Sequence, residues 1–229
     1  MTIHFDRLNN TLDSASAPFG RVTLPARAGF YRNGLKRGLD LVLILMAAPI
    51  VLPLVLVLSL IVARDGHRPF YWSKRVGKDG KEFFMLKLRT MVPDADRLLD
   101  AHLTNDPLAR QEWETTQKLK NDPRTTRVGR VLRKLSLDEL PQLWNVLVGD
   151  MSLVGPRPML PNQRVMYPGL AYYALRPGIT GPWQVSDRNE CEFAKRADHD
   201  KDYHDQLSFS ADLKLIVRTI GVVLKGTGY

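Results

Sequence analysis

The apolar positions of this chain are unevenly distributed. Leu41 to Ala63 is a run of 23 residues without a charge, whereas elsewhere apolar residues recur only at intervals. At about 1.5 Å per residue the run would form a helix of roughly 35 Å, enough to cross a hydrocarbon core of about 30 Å. Pro49 and Pro53 lie inside it. Each deletes a backbone donor and crowds the carbonyl four residues earlier, so a break or sharp bend is expected near Ala48 and Pro49. Arg32, Lys36 and Arg37 precede the run, and Arg64, Arg68, Lys74 and Arg75 follow it. Basic flanks on both sides give the positive-inside rule nothing to orient. A kinked spanning helix and a re-entrant helix that turns at Pro49 and leaves on the side it entered both remain open.

After the run the period shortens. Two alternating, aromatic-rich stretches flank Asp79-Gly80, which predicts a β-hairpin. Leu98, Leu99 and Leu103, then Trp113, Thr116 and Lys120, carry helical spacing, with Asn105-Asp106-Pro107 as a break between two helices. The segment from Arg124 to Arg133 is basic and helical in pattern. Leu140, Leu143, Trp144 and Leu147 mark one face of a helix ending at Gly149. Near the C-terminus, Leu213, Ile216, Val217, Ile220, Val223 and Leu224 share a helical face; such a helix either lies on a membrane surface or packs on the domain. The expected fold is therefore mainly α with a small β-hairpin, an α+β arrangement. It divides into a polar, mobile tail (1–30), a membrane helix-break-helix (31–66) and a cytoplasmic domain (67–229).

Composition narrows the classes. The chain has 229 residues, a formal charge of +9 and one cysteine. One cysteine excludes an intramolecular disulfide framework and a Cys-rich zinc site. The excess of Lys and Arg points to a polyanionic partner: nucleic acid, an anionic membrane or a phosphorylated substrate. A cleaved signal peptide is not expected, because the apolar run begins some forty residues in.

The densest candidate chemistry lies between residues 132 and 158. Asp138 and Glu139 occupy the first turn of the helix that ends at Gly149, where the macrodipole favours ionised carboxylates suited to a nucleophile or a metal ligand. A plainer explanation stands beside this one. Ser136 and Glu139 match a capping box, Asp138 is itself a good N-cap, and Pro141 is tolerated so early in a helix. Pro156-Arg157-Pro158 then holds an arginine between two rigid residues, a fork suited to anionic oxygens. Arg176, Thr180 and Gln184 sit on a Gly- and Pro-rich loop of the kind that brings backbone donors close to a phosphate, although many such loops are plain turns.

Five segments in order carry a resemblance: Lys36, Arg37 and Asp40 before the apolar run; Lys87-Leu-Arg-Thr-Met91; Ser136-Leu-Asp-Glu-Leu-Pro-Gln142; Gly149-Asp-Met-Ser-Leu-Val-Gly-Pro-Arg-Pro158; and Arg176-Pro-Gly-Ile-Thr-Gly181 followed by Trp183-Gln-Val-Ser186. From about Lys36 onward the chain resembles the monotopic phosphoglycosyl transferases, in particular the small exopolysaccharide sugar transferases. Three positions depart from the family pattern: Ala48 stands before Pro49 where a serine is common, Pro182 replaces an aliphatic residue and Asp187 replaces a glycine.

The resemblance implies a bacterial enzyme of the cytoplasmic membrane, with its catalytic domain on the cytoplasmic face and a helix that is re-entrant at Pro49. It implies transfer of a sugar 1-phosphate from a UDP-sugar, galactose or glucose, to undecaprenyl phosphate with release of UMP. Asp138 is implied as covalent nucleophile, Glu139 as its partner, and both as ligands of Mg²⁺. Lys87, Arg89, Arg157, Arg176, Thr180 and Gln184 are implied on the substrate. Membrane lipids are expected partners, and downstream glycosyltransferases or a second copy are further candidates. For Lys74, Arg75, Lys78 and Lys81, attraction to an anionic leaflet is the preferred explanation. His102, His199 and His204 lack metal-ligand spacing. Two other classes compete: a membrane-tethered nucleic-acid binder, disfavoured because no nucleic-acid-binding motif is present, and a non-catalytic scaffold in which Asp138 and Glu139 are only caps.

Overall fold

The computed structural model describes residues 29–116, 119–186 and 193–225. The tail expected over residues 1–30 falls almost wholly outside these, as does Asp187.

One turn of π-helix at Tyr31–Leu35 leads into helix α1 (Lys36–Val62). Both prolines lie within α1 and no interruption divides it, so the two helices expected on either side of Pro49 are a single helix. The backbone explains why. In an apolar setting no water can take over a freed N–H or C=O, so every bond not deleted by the proline ring stays in the helical ladder. At about 1.5 Å per residue α1 is roughly 40 Å long. It is the one helix among the described residues long and apolar enough to cross a membrane, with only 6% of its most apolar window buried. Leu45, Met46, Ile50, Leu52, Leu56 and Leu60 are all exposed.

Both ends of α1 are docked on the rest of the chain. At the near end the Asp40 carboxylate accepts the Ser152 hydroxyl at 2.8 Å and the Leu153 N–H at 3.1 Å. The Arg37 guanidinium donates to the carbonyls of Val146 and Leu147. Ile44 packs with Phe83, Met85, Val146 and Met151. At the far end Val62 packs with Leu88 and Leu132, and Arg89 donates to the Val62 carbonyl at 3.1 Å, capping the helix with positive charge.

The hairpin forms as expected. Strands β1 (Phe70–Val76) and β2 (Glu82–Leu88) pair antiparallel with Tyr71 opposite Lys87. At the turn, Asp79 and Gly80 both take positive φ, 57° and 74°, which Asp and Gly tolerate at low cost. Two helices follow, α2 (Ala95–Asn105) and α3 (Pro107–Thr116), separated at Asp106, whose carboxylate accepts the Leu108 and Ala109 N–H groups. Helix α4 (Arg127–Lys134) starts at Thr126, whose hydroxyl oxygen accepts the Gly129 N–H at 2.9 Å.

The segment carrying Asp138 differs from expectation. It is a 3₁₀-helix, Leu137–Gln142, continued by a short α5 (Leu143–Val148) that ends at Gly149 with φ 98°. Ser136 stands before it in the left-handed region and makes no side-chain cap bond, so the capping box is not formed.

A second sheet was not anticipated: β3 (Ser152–Val154) and β4 (Gly178–Thr180) pair in parallel. Its glycines are there for close approach, since a Cβ on Gly178 would stand 2.1 Å from the Gly155 nitrogen. The chain closes with α6 (Pro182–Val185), α7 (Arg196–Gln206) and α8 (Phe209–Lys225). The amphipathic C-terminal helix packs on the domain through Leu215 and Ile216 while leaving Leu213, Val217 and Ile220 exposed. Asp212, almost fully buried, accepts bonds from Tyr31, Lys36 and Tyr203, which ties α8 and α7 to the start of α1.

Candidate functional site

Alternate residues of a strand face one way. On the hairpin, one face therefore presents Tyr71, Ser73 and Arg75 from β1 and Lys87 from β2, with Arg89 just beyond. These line a cavity of about 1030 Å³ that also takes in Asp138, Glu139, Arg157 and Trp183. Eight basic and five acidic side chains line it, so it is a basic cavity with a carboxylate pair set in its wall.

Asn145 places that pair. Its side chain is buried and bridges to the outer edge of β2, accepting the Leu86 N–H at 2.9 Å and donating to the Phe84 carbonyl at 2.7 Å. The 3₁₀-helix is thereby fixed against the strand carrying Lys87. The Lys87 ammonium donates to Glu139 Oε1 at 2.8 Å and stands 3.7 Å from Asp138 Oδ2. Arg157 reaches the same Glu139 oxygen at 3.3 Å, with its guanidinium 5.8 Å from the Trp183 ring centre.

Asp138 is buried, at 7% exposure. Burial pushes its pKa up, Glu139 adds to the rise, and Lys87, Arg133 and Arg157 oppose it. The shift thus runs opposite to the lowering expected at a helix start. Six residues of 3₁₀-helix give a weak dipole, and loss of solvent outweighs it.

The structure brings together Asp138, Glu139, Lys87, Arg89 and Arg157. Arg89 lines the cavity with its donors already committed, to Arg68, Met91 and Val62 carbonyls and to Asp65. The other three stand elsewhere. Arg176 donates to the Gly149 carbonyl at 2.9 Å and borders a smaller depression beside Arg37 and Asp40. Thr180 shares a hydrogen bond with Thr219 of α8, and Gln184 is buried with its amide nitrogen on the Ile179 carbonyl. Pro49 lies mid-helix in α1, away from the cavity.

Sequence reasoning missed Arg75, Arg133, Asn145 and Trp183. Arg75, grouped by sequence with the residues attracted to a leaflet, turns into the cavity. Its signal was the alternation with Tyr71 and Ser73. Arg133 lines the cavity, donating to the hydroxyls of Thr90 and Thr125.

Among the described residues no group of three or more His, Cys, Asp or Glu side chains could hold a metal. Two adjacent carboxylates suit an ion that completes its shell with phosphate oxygens and water, which is how Mg²⁺ is commonly bound. Asp138, whose negative charge is poorly compensated, fits that role.

A family model described as bacterial sugar transferase matches residues 31–226. The chain is 47% identical over 196 residues to the UDP-galactose-lipid carrier transferase of Erwinia amylovora, covering 85% of this chain and 41% of that protein. It is 46% identical to the undecaprenyl-phosphate galactose phosphotransferase of Salmonella typhimurium, again over 85% of this chain and 41% of the relative. The chain thus spans less than half the length of these two. The exopolysaccharide production protein ExoY of Rhizobium meliloti is 42% identical over 94% of this chain and 96% of its own length. With a family match across most of its described length, the chain belongs to the bacterial sugar transferases.

Proposed function

We propose that this protein transfers a hexose 1-phosphate, galactose 1-phosphate foremost, from a UDP-sugar to undecaprenyl phosphate on the cytoplasmic face of the bacterial inner membrane, releasing UMP. One observation carries the reading: a buried carboxylate, Asp138, stands in the wall of a basic cavity that adjoins the end of an apolar helix. The named activities of the Erwinia and Salmonella relatives favour galactose. Against the caps-only alternative stand two observations: the Ser136 side chain makes no cap bond, and Glu139 is turned to Lys87 and Arg157.

In the proposed reaction an Asp138 oxygen attacks the sugar-linked phosphorus. The bond to the UMP oxygen breaks, and its electron pair leaves with UMP. An oxygen of the lipid phosphate then attacks the same phosphorus, the aspartyl oxygen departs and the carboxylate is restored. Lys87 and Arg157 position Glu139 and the phosphate oxygens, which is most of what phosphoryl transfer asks of a protein. Mg²⁺, when bound, would neutralise charge on the diphosphate; Asp138 and Glu139 would hold it.

Both ends of α1 rest on the same domain while its middle is apolar on every side. That supports a helix entering and leaving the membrane on one face, with Pro49 and Pro53 bending it rather than dividing it in two. Labelling from the periplasm of a cysteine placed at the exposed Phe30 or His67, in a chain lacking Cys191, would overturn this topology.

The test of the chemistry omits the lipid acceptor. Purified protein with Mg²⁺ and UDP-galactose should gain a hexose-phosphate by intact mass and release UMP. Asp138→Asn should do neither, a loss of roughly a thousandfold or more, while keeping its fold, and removal of Mg²⁺ should abolish the adduct. UMP release only when lipid is present would replace the covalent route with direct transfer, and an adduct on Glu139 would reverse the two roles.

A further inference from the structure

Along the hairpin floor the cavity has a direction. Its α1 end is marked by Arg89 on the Val62 carbonyl. Next comes the Tyr71–Lys87 pair, against which Asp138 and Glu139 sit. Arg75 lies four residues farther along β1, roughly 13 Å at the usual rise per strand residue. Its side chain folds back toward the carboxylates: Nε donates to Ser73 Oγ at 3.1 Å, and Nη1 to the Pro158 carbonyl at 3.2 Å.

Two cations therefore meet at this end of the cavity. Arg157 shares Glu139 with Lys87, whereas Arg75 forms no ion pair among the described residues. Burial, then the nearby Arg157, lowers the Arg75 pKa to about 10, so it stays charged at neutral pH against both solvation and repulsion. A fork-shaped cation held by a hydroxyl and a carbonyl, beside a second fork, is arranged for a multiply charged anion from outside the protein.

We propose that Arg75, with Arg157, receives the nucleotide-side phosphate of the sugar donor, the group that leaves as UMP. The proposal rests on the sugar-transfer reading above. The sugar-linked phosphate must meet Asp138, and the lipid carrier arrives from α1, the membrane element. The leaving phosphate then points away from α1 along the hairpin, where Arg157 and Arg75 follow one another. Negative charge grows on that phosphate as its bond to the attacked phosphorus breaks, so the same contacts strengthen during the step. Arg75 is a substrate-positioning residue that the sequence alone assigns to the membrane surface.

The test compares UMP with uridine, titrated into purified full-length protein. Wild type should bind UMP more tightly than uridine by about tenfold or more, and Arg75→Lys, which keeps the charge and loses the fork, should lose about tenfold for UMP with uridine unchanged. Lys74→Gln, on the opposite face of the same strand, should match wild type. Equal losses for both ligands would make Arg75 a wall of the cavity only, and unchanged UMP binding would overturn the proposal, as would a wild type that does not discriminate the two. If Arg75→Lys fails to fold, Ser73→Ala removes the tether with the guanidinium in place, and UMP affinity should fall severalfold; no fall overturns the assignment. Absence of the Asp138 adduct with UMP discrimination intact would defeat the covalent reading and leave this site standing.

Discussion

Arg157 and Arg176 flank the same short parallel sheet. One follows β3 by three residues, the other precedes β4 by two, and each is succeeded by a proline. Arg157 turns into the cavity, onto Glu139 and toward Trp183. Arg176 donates to the carbonyl of Gly149, the residue that closes α5, and faces the depression at the near end of α1. Proline stiffens both backbones, on both sides of Arg157 and on one side of Arg176. The direction is set by the sheet, which brings the two strand ends together through Gly155 and Gly178 and sends the flanking chains apart. Rigidity beside an arginine thus says that its position is fixed, not what it is fixed upon.

The comparison can be broken most sharply at Arg157. Replacement by Lys should lower turnover roughly a hundredfold with the fold retained, because a point charge cannot serve Glu139 and a phosphate at once as a fork does. Near-normal turnover would return Arg157 to a structural role. A second substitution attacks the sheet between the two arginines. Gly178→Ala sets a Cβ 2.1 Å from the Gly155 nitrogen, and should cost about 2 kcal/mol or more in denaturant unfolding. Stability equal to wild type would mean that the strands separate without penalty. The smallest effect is expected at Arg176. Lys there should lose about 1 kcal/mol with the bond to Gly149, and turnover should stay within about twofold. A large loss of turnover at unchanged stability would move Arg176 into the substrate machinery.

What was legible in the sequence follows the range of the interaction that decides it. The Asp79-Gly80 turn, the Asp106 separation of two helices and the apolar run of α1 are set by neighbours in the chain, and each was read from pattern alone. So was the nearness of Asp138, Glu139 and Arg157, which lie within twenty residues of one another. The sheet of β3 and β4 was not legible. Its two strands are three residues each, and their pairing depends on glycines that read equally well as turns. The 3₁₀ form of the Asp138 segment was missed because Ser136 and Glu139 match a capping pattern, whereas the Glu139 carboxylate is turned to Lys87 and Arg157. Arg75 was missed because charge beside a membrane segment has an easy explanation, and only the pleat of β1 shows which way it faces.

The anchoring of α1 at both ends sets an order of events during synthesis. Its far end closes on Leu88, Arg89 and Leu132, residues that emerge within about seventy positions of it. The near end waits. Asp40 needs Ser152 and Leu153, and Lys36 needs Asp212, 176 residues later. Until Ser152 and Leu153 have been made, α1 is held at its far end and free at its near one, and its Lys36 contact waits longer, for Asp212. In that interval Arg32, Lys36 and Arg37 lack these partners, and on the proposed topology attraction to an anionic lipid surface is what would hold this end on the cytoplasmic face.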